Sequence, residues 1–143
     1  MVRDRELHRQ HQRIKHLIES THTYTFCHIE VQGHWAKYLC VLSAGFIENS
    51  LKVIFVAYVK NRGTPEIVNF ITSRLNSIRN PKIGKFCEIA GEFSSEMQNR
   101  VRAYSEDKGR GDAIDSIMIN RHLIAHGKDS NISMARLDNF FDK

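Results

Sequence analysis

Apolar positions recur along this chain at helical rather than alternating spacing almost throughout. Between Asp4 and about Ser20, Leu7, Ile14, Leu17 and Ile18 form a thin stripe, which predicts a first helix. Thr21 to Gly33 mixes threonines and aromatics without a helical period, so an extended connection is expected, with room for one short strand. The next helix begins between Glu30 and Trp35 and runs to about Lys60. It is apolar nearly all round, as the central helix of a bundle would be. Asn61-Arg62-Gly63 ends it, and Thr64-Pro65 opens another with a capping hydroxyl and a first-turn proline. That helix carries Ile67, Val68, Phe70, Ile71, Leu75 and Ile78 until Asn80-Pro81 breaks it. A short helix follows from Lys82 to about Ala90, with Ile83, Phe86, Cys87 and Ile89 or Ala90 inward. After a turn at Gly91 to Ser95, Glu96 to about Asp107 forms a helix around Met97, Val101 and Tyr104. Lys108-Gly109-Arg110-Gly111 reads as a flexible basic link into a helix spanning Asp112 to Gly127. A polar loop, Lys128 to Asn131, leads to a last helix from about Ser133 to Asp142 that buries Met134, Leu137, Phe140 and Phe141. There is no internal repeat or low-complexity segment. The expected fold is one all-α domain over residues 1–143, a helical bundle with short connections.

Composition narrows the setting. The longest apolar region, Trp35 to Val59, is interrupted by Lys37, Glu48, Asn49 and Lys52, so it falls short of the roughly 18 uncharged residues of a membrane span. No membrane association is expected. The N-terminal M-V-R-D-R-E-L-H-R-Q-H-Q-R puts charges where a signal peptide is apolar, which favours a cytoplasmic protein. Cys27, Cys40 and Cys87 are odd in number, far apart and without a C-x-x-C, so neither a disulfide framework nor a cysteine zinc site is indicated. A net charge of +5 and a pI near 9.3 favour an acidic partner, nucleic acid first. The first helix, with Arg3, Arg5, Arg9, Arg13, Lys15, His8, His11 and His16, is the most basic segment. It suits an RNA strand, or equally a solvated helix face.

The chemistry concentrates in D-A-I-D-S-I-M-I-N-R-H-L-I-A-H-G, residues 112–127. Ile114, Ile117, Met118, Ile124 and Ala125 fall on one helix face, and Arg121 sits within that stripe. A guanidinium there is costly unless it meets a carboxylate, backbone carbonyls or an anionic ligand. His122 and His126, four apart, share a second face with Asp115, and Gly127 supplies the helix stop.

Three readings of Arg121, His122 and His126 compete. Histidines at i and i+4 can ligate zinc, but the Glu of H-E-x-x-H is missing and no third ligand is placed, so no metal is assigned. A structural reading ties Arg121 to a buried carboxylate such as Glu48 and lets the histidines cap the helix end. The third is RNA cleavage, in which the substrate's own 2′-hydroxyl attacks its phosphate. His126 would move the proton, a role worth about 10² to 10⁴ in rate, and Arg121 would hold the developing charge. The five-residue offset sets the two Cβ atoms roughly 140° apart around the axis and about 7.5 Å apart along it. They converge only if the helix loosens before Gly127 or if two copies meet across a two-fold axis.

The run Arg121-His122-Leu123-Ile124-Ala125-His126-Gly127 resembles the signature of the HEPN superfamily, an Arg, a polar residue, three more residues and then His. The similarity extends through Trp35 to Leu42, Gly45-Phe46-Ile47-Glu48, Asn80-Pro81 and Asp112 to Ile117, as in the RiboL-PSP-HEPN type. That resemblance implies a helical bundle that forms a two-fold dimer. In many members it implies a metal-independent, cofactor-free endoribonuclease of toxin or phage-defence systems that leaves 2′,3′-cyclic phosphate ends. By position, Arg121 and His126 become the catalytic pair, His122 takes the supporting polar place, and Glu48 is expected to orient Arg121. Some HEPN domains instead bind RNA or a protein partner without cleaving. A cognate antitoxin or nucleotidyltransferase encoded beside the chain would favour the toxin setting.

Overall fold

A computed structural model describes residues 5–25 and 28–142. Among them lie seven α-helices: α1 (Arg5–Tyr24), α2 (Ile29–Lys60), α3 (Pro65–Asn76), α4 (Ile83–Phe93), α5 (Ser95–Glu106), α6 (Arg110–Ala125) and α7 (Met134–Phe141). A single 3-10 turn, Asp107–Gly109, joins α5 to α6, and no strand occurs among the described residues. The fold class is all-α, as the spacing of apolar residues predicts. Arg3, Asp4 and Cys27 lie outside the described residues.

The 32-residue α2 is the axis of the molecule, and α1, α3, α6 and α7 all pack on it. Its near-uniform apolarity follows from serving two cores in succession. Leu39, Cys40 and Ala44 join Ile18 of α1, Ile117 and Met118 of α6 and Leu137 of α7 in the first. One turn and more further on, Leu51 and Phe55 meet Leu75, Ile89 and Ala90 in the second. Leu39 and Leu51 are almost wholly buried, and each such side chain contributes roughly 1.5 to 3 kcal/mol. By length and composition α2 is nevertheless apolar enough to cross a bilayer, since an 18-residue window holds at most two charged residues. The interruptions at Lys37, Glu48 and Lys52 are spaced too widely to prevent this.

Three stretches depart from expectation. Thr21 to Tyr24 and Ile29 to Gly33 are helical rather than extended: α1 continues to Tyr24 and α2 starts at Ile29. The hydroxyls of Thr23 and Thr25 donate to the carbonyls of Glu19 and Thr21, 3.1 and 2.6 Å away, so these residues bond back onto the helix and their β preference is overridden. The turn expected at Gly91 to Ser95 shrinks to Ser94, whose hydroxyl accepts the Met97 N–H at 3.1 Å and starts α5. The supposed flexible link at Lys108 to Gly111 is a tight corner. Lys108 and Gly109 both adopt positive φ, and Gly111, buried as the second residue of α6, packs against its neighbours. A Cβ on Gly111 would stand 3.3 Å from the Ser105 carbonyl and 3.4 Å from Ile83, so a glycine there permits close approach rather than motion.

One histidine of the basic first helix also turns inward. The His11 ring lies 5.8 Å from both Phe46 and Phe141. Burial lowers its pKa, and neighbouring Lys15 and His8 add to the effect. His11 is thus half-buried between two aromatic rings instead of standing free with the other basic side chains of α1.

Candidate active site

The direction of α6 relative to α2 decides which residues can meet. The Cys40 thiol donates to the Ile117 carbonyl at 3.5 Å, which marks one level of the crossing. Glu48 and Asp115 both reach the entry into α4: Glu48 accepts the Asn80 N–H at 3.0 Å and Asp115 accepts the N–H of Ile83, the first residue of α4, at 2.7 Å. Glu48 lies after Cys40 and Asp115 before Ile117, so α2 and α6 run antiparallel. Arg121 and His126 consequently lie on the far side of the crossing from Glu48, toward the N-terminal half of α2.

This arrangement overturns the expected pairing of Glu48 with Arg121. Glu48 is held instead by the Asn80 N–H, by Lys52 Nζ at 3.2 Å and by Arg79 at 3.7 Å. Burial pushes its carboxyl pKa up, and the Asn80, Lys52 and Arg79 contacts outweigh that, leaving it below the ordinary value. Stability from this carboxylate is present above the usual glutamate range and is lost as pH falls through the lowered folded value. Glu48→Gln is expected to cost about 1 to 2 kcal/mol at neutral pH, a loss that shrinks in acid, while leaving any RNA cleavage by the chain unchanged. Denaturant titration at two pH values, with a cleavage assay beside it, checks this. A large loss of cleavage would return Glu48 to the site.

The other residues form one end of α6. Arg121 is half-buried, and His122 and His126 are exposed. The His122 and His126 rings stand 4.4 Å apart at 58°. No carboxylate lies within ion-pair distance of Arg121 among the described residues. Asp115, on the same face, is occupied at the start of α4. Among the described residues no three His, Cys, Asp or Glu side chains gather into a metal-sized cluster.

The helix stays regular through Ala125 and stops sharply. The Gly127 N–H bonds the Ile124 carbonyl at 3.1 Å and the Lys128 N–H bonds the Leu123 carbonyl at 2.9 Å, with Gly127 at φ 65. This double closure is a Schellman motif, with His126 as the last half-helical residue. The helix therefore does not loosen early enough to swing His126 beside Arg121. Their difference in burial reflects the roughly 140° between them.

One supporting residue escaped the sequence reading. Asn120 is buried beside Arg121; its amide donates to the Ser116 carbonyl at 2.8 Å and its oxygen accepts the Asn131 N–H at 3.1 Å. Arg136 holds the Asn131 carbonyl at 2.8 Å from the other side. Together they pin the loop that follows Gly127. The signal was available: a polar side chain within a buried stripe must find partners.

A family model described as RiboL-PSP-HEPN matches residues 5–143. The chain belongs to this family. The match runs through every described helix, so the HEPN assignment rests on the whole bundle and not on the short motif alone. No curated protein and no solved structure matches this HEPN chain.

Proposed function

We propose that this HEPN protein is a metal-independent endoribonuclease of a toxin or phage-defence type. The observation that carries the reading is the half-buried guanidinium of Arg121, without a carboxylate partner among the described residues, on the same helix end as two exposed imidazoles. A charge so placed calls for an anion, and RNA supplies phosphate.

In the proposed reaction His126 takes the proton from the ribose 2′-hydroxyl as that oxygen bonds to the adjacent phosphorus. The bond from phosphorus to the 5′-oxygen breaks, that oxygen takes up a proton, and a 2′,3′-cyclic phosphate remains. Arg121 holds the phosphate oxygens as charge builds. His122, in ring contact with His126, limits the orientations of that imidazole.

Two copies related by a two-fold axis reconcile this chemistry with the angular separation of the pair, because one copy's Arg121 can face the other's His126. The α2 surface on that side suits such contact. Val31, Trp35, Tyr38 and Val41 are all exposed along one line, Trp35 packs edge-on to Tyr38 at 5.6 Å, and Ile119 of α6 is exposed as well. Exposed apolar side chains gathered on one helix face support the reading of this side as the dimer contact.

The test is incubation with single-stranded RNA in EDTA. Cleavage is expected to persist, to yield cyclic phosphate ends, and to stop when the nucleotide at the cut site is 2′-deoxy. Loss of activity in EDTA, or cutting of the deoxy substrate, would rule out the mechanism. RNA binding without cleavage of any tested substrate would favour a non-catalytic HEPN binding module.

A further inference from the structure

A groove lined by none of the residues proposed for RNA cleavage remains unexplained by that chemistry. It encloses about 1380 Å³ between the C-terminal half of α2 and α5, with α6 and α7 closing its other end. α2 and α5 are not among the helix pairs that pack closely. Along α2 the lining runs from Phe46 to Asn61, about 22 Å at helical rise. The floor is apolar, formed by side chains such as Phe55, Phe86, Met97 and Ile114, and Ile54 is half-exposed at its edge. None of Arg121, His122 or His126 lines it.

The rim carries the charge. Lys60, Arg62, Arg100 and Arg110 line the groove against one carboxylate, Glu96. Arg110 is paired with Asp107, but Lys60, Arg62 and Arg100 have no carboxylate within ion-pair distance among the described residues. The guanidinium groups of Arg62 and Arg110 lie over Tyr58 and Tyr104, each 4.1 Å from the ring centre.

We infer that this groove receives an acidic amphipathic helix of a partner protein. A helix satisfies its own backbone hydrogen bonds, so it can lie on an apolar floor without stranding polar groups. Acidic residues flanking its apolar stripe would reach the unpaired cations of the rim, which is the charge complementarity that selects a partner. Single-stranded RNA fits less well. It binds such channels by stacking bases on aromatic faces, and here each rim tyrosine already carries a guanidinium. The length matches about four helical turns. This inference does not depend on the RNA-cleavage reading, and its test needs no turnover.

The probe is a fluorescein-labelled helical peptide of about 15 residues with leucines at i, i+3, i+4 and i+7 and glutamates on both flanks. A lysine-flanked version and a scrambled version serve as controls. Fluorescence anisotropy with the whole protein at low salt should show saturable binding of the acidic peptide alone. Lys60→Glu combined with Arg100→Glu should weaken it about ten-fold or more, with raised salt acting in the same direction. Ile54→Asp, at a half-exposed position, should weaken it as well, and thermal melts of both variants should match the wild type. Equal binding of the lysine peptide, absence of binding, or indifference to both variants would overturn the inference. So would a single-stranded oligonucleotide that displaces the acidic peptide and itself loses affinity on Ile54→Asp, because the groove would then be an RNA path.

Discussion

Alanine in place of His126 is expected to reduce RNA cleavage by about 10² to 10⁴, the usual worth of a positioned proton-transfer group, with the fold intact. The side chain is exposed at the end of α6, and the closure around it is made by backbone groups of Leu123, Ile124, Gly127 and Lys128. Removing the imidazole therefore opens no cavity and strands no hydrogen bond. Cleavage of a labelled oligonucleotide, with a thermal melt alongside, separates the two effects. A melt unchanged with cleavage also unchanged would remove His126 from the mechanism. Imidazole is the side chain that ordinarily titrates near neutrality, so glutamine at this position should be as inactive as alanine. Arg121→Ala should lose turnover to a similar degree and lose RNA affinity less, because its contact matters most as charge develops.

The second large effect concerns a mixture. If Arg121 of one copy serves His126 of the other, the Arg121→Ala and His126→Ala proteins are each inactive but complement each other. Random exchange of equal amounts makes about half the dimers mixed, each with one intact site of two, so activity should recover to about a quarter of wild type. The experiment requires dimers that exchange, which energy transfer between donor- and acceptor-labelled copies after a brief incubation establishes. Dimers that demonstrably mix yet stay inactive would place the whole site within one chain. Tyr38→Glu with Val41→Glu, both at exposed positions of α2, provides the matching control. It should yield monomers in light scattering and lose cleavage together with the dimer.

The apolar periodicity made the helices and the role of α2 legible, because a helix used in two successive cores must be apolar on several faces. The ends were harder to read. Thr23 and Thr25 carry a β preference that a local bond to the i−4 carbonyl overrides, and nothing in their identities announces that bond. Gly109 and Gly111 look alike as letters, yet one turns the chain at positive φ and the other admits neighbouring side chains. At the site, Arg121, His122 and His126 could be grouped from spacing alone because all three belong to one helix. Glu48 could not be placed that way. Its contacts depend on the antiparallel run of α2 and α6 and on Asn80, thirty-two positions away, which no local spacing encodes.

The seam between those two helices contains a sulfur. Cys40 is wholly enclosed, its thiol donates to the Ile117 carbonyl, and burial pushes its pKa up to about 11. Only the thiolate reacts readily with alkylating reagents, so the closed seam protects this cysteine both sterically and chemically. The rate at which Cys40 is labelled thus reports how often α6 lifts from α2. Because the end of α6 that carries Arg121 and His126 extends beyond that same crossing, one chemical clock times the breathing of the scaffold that holds both side chains.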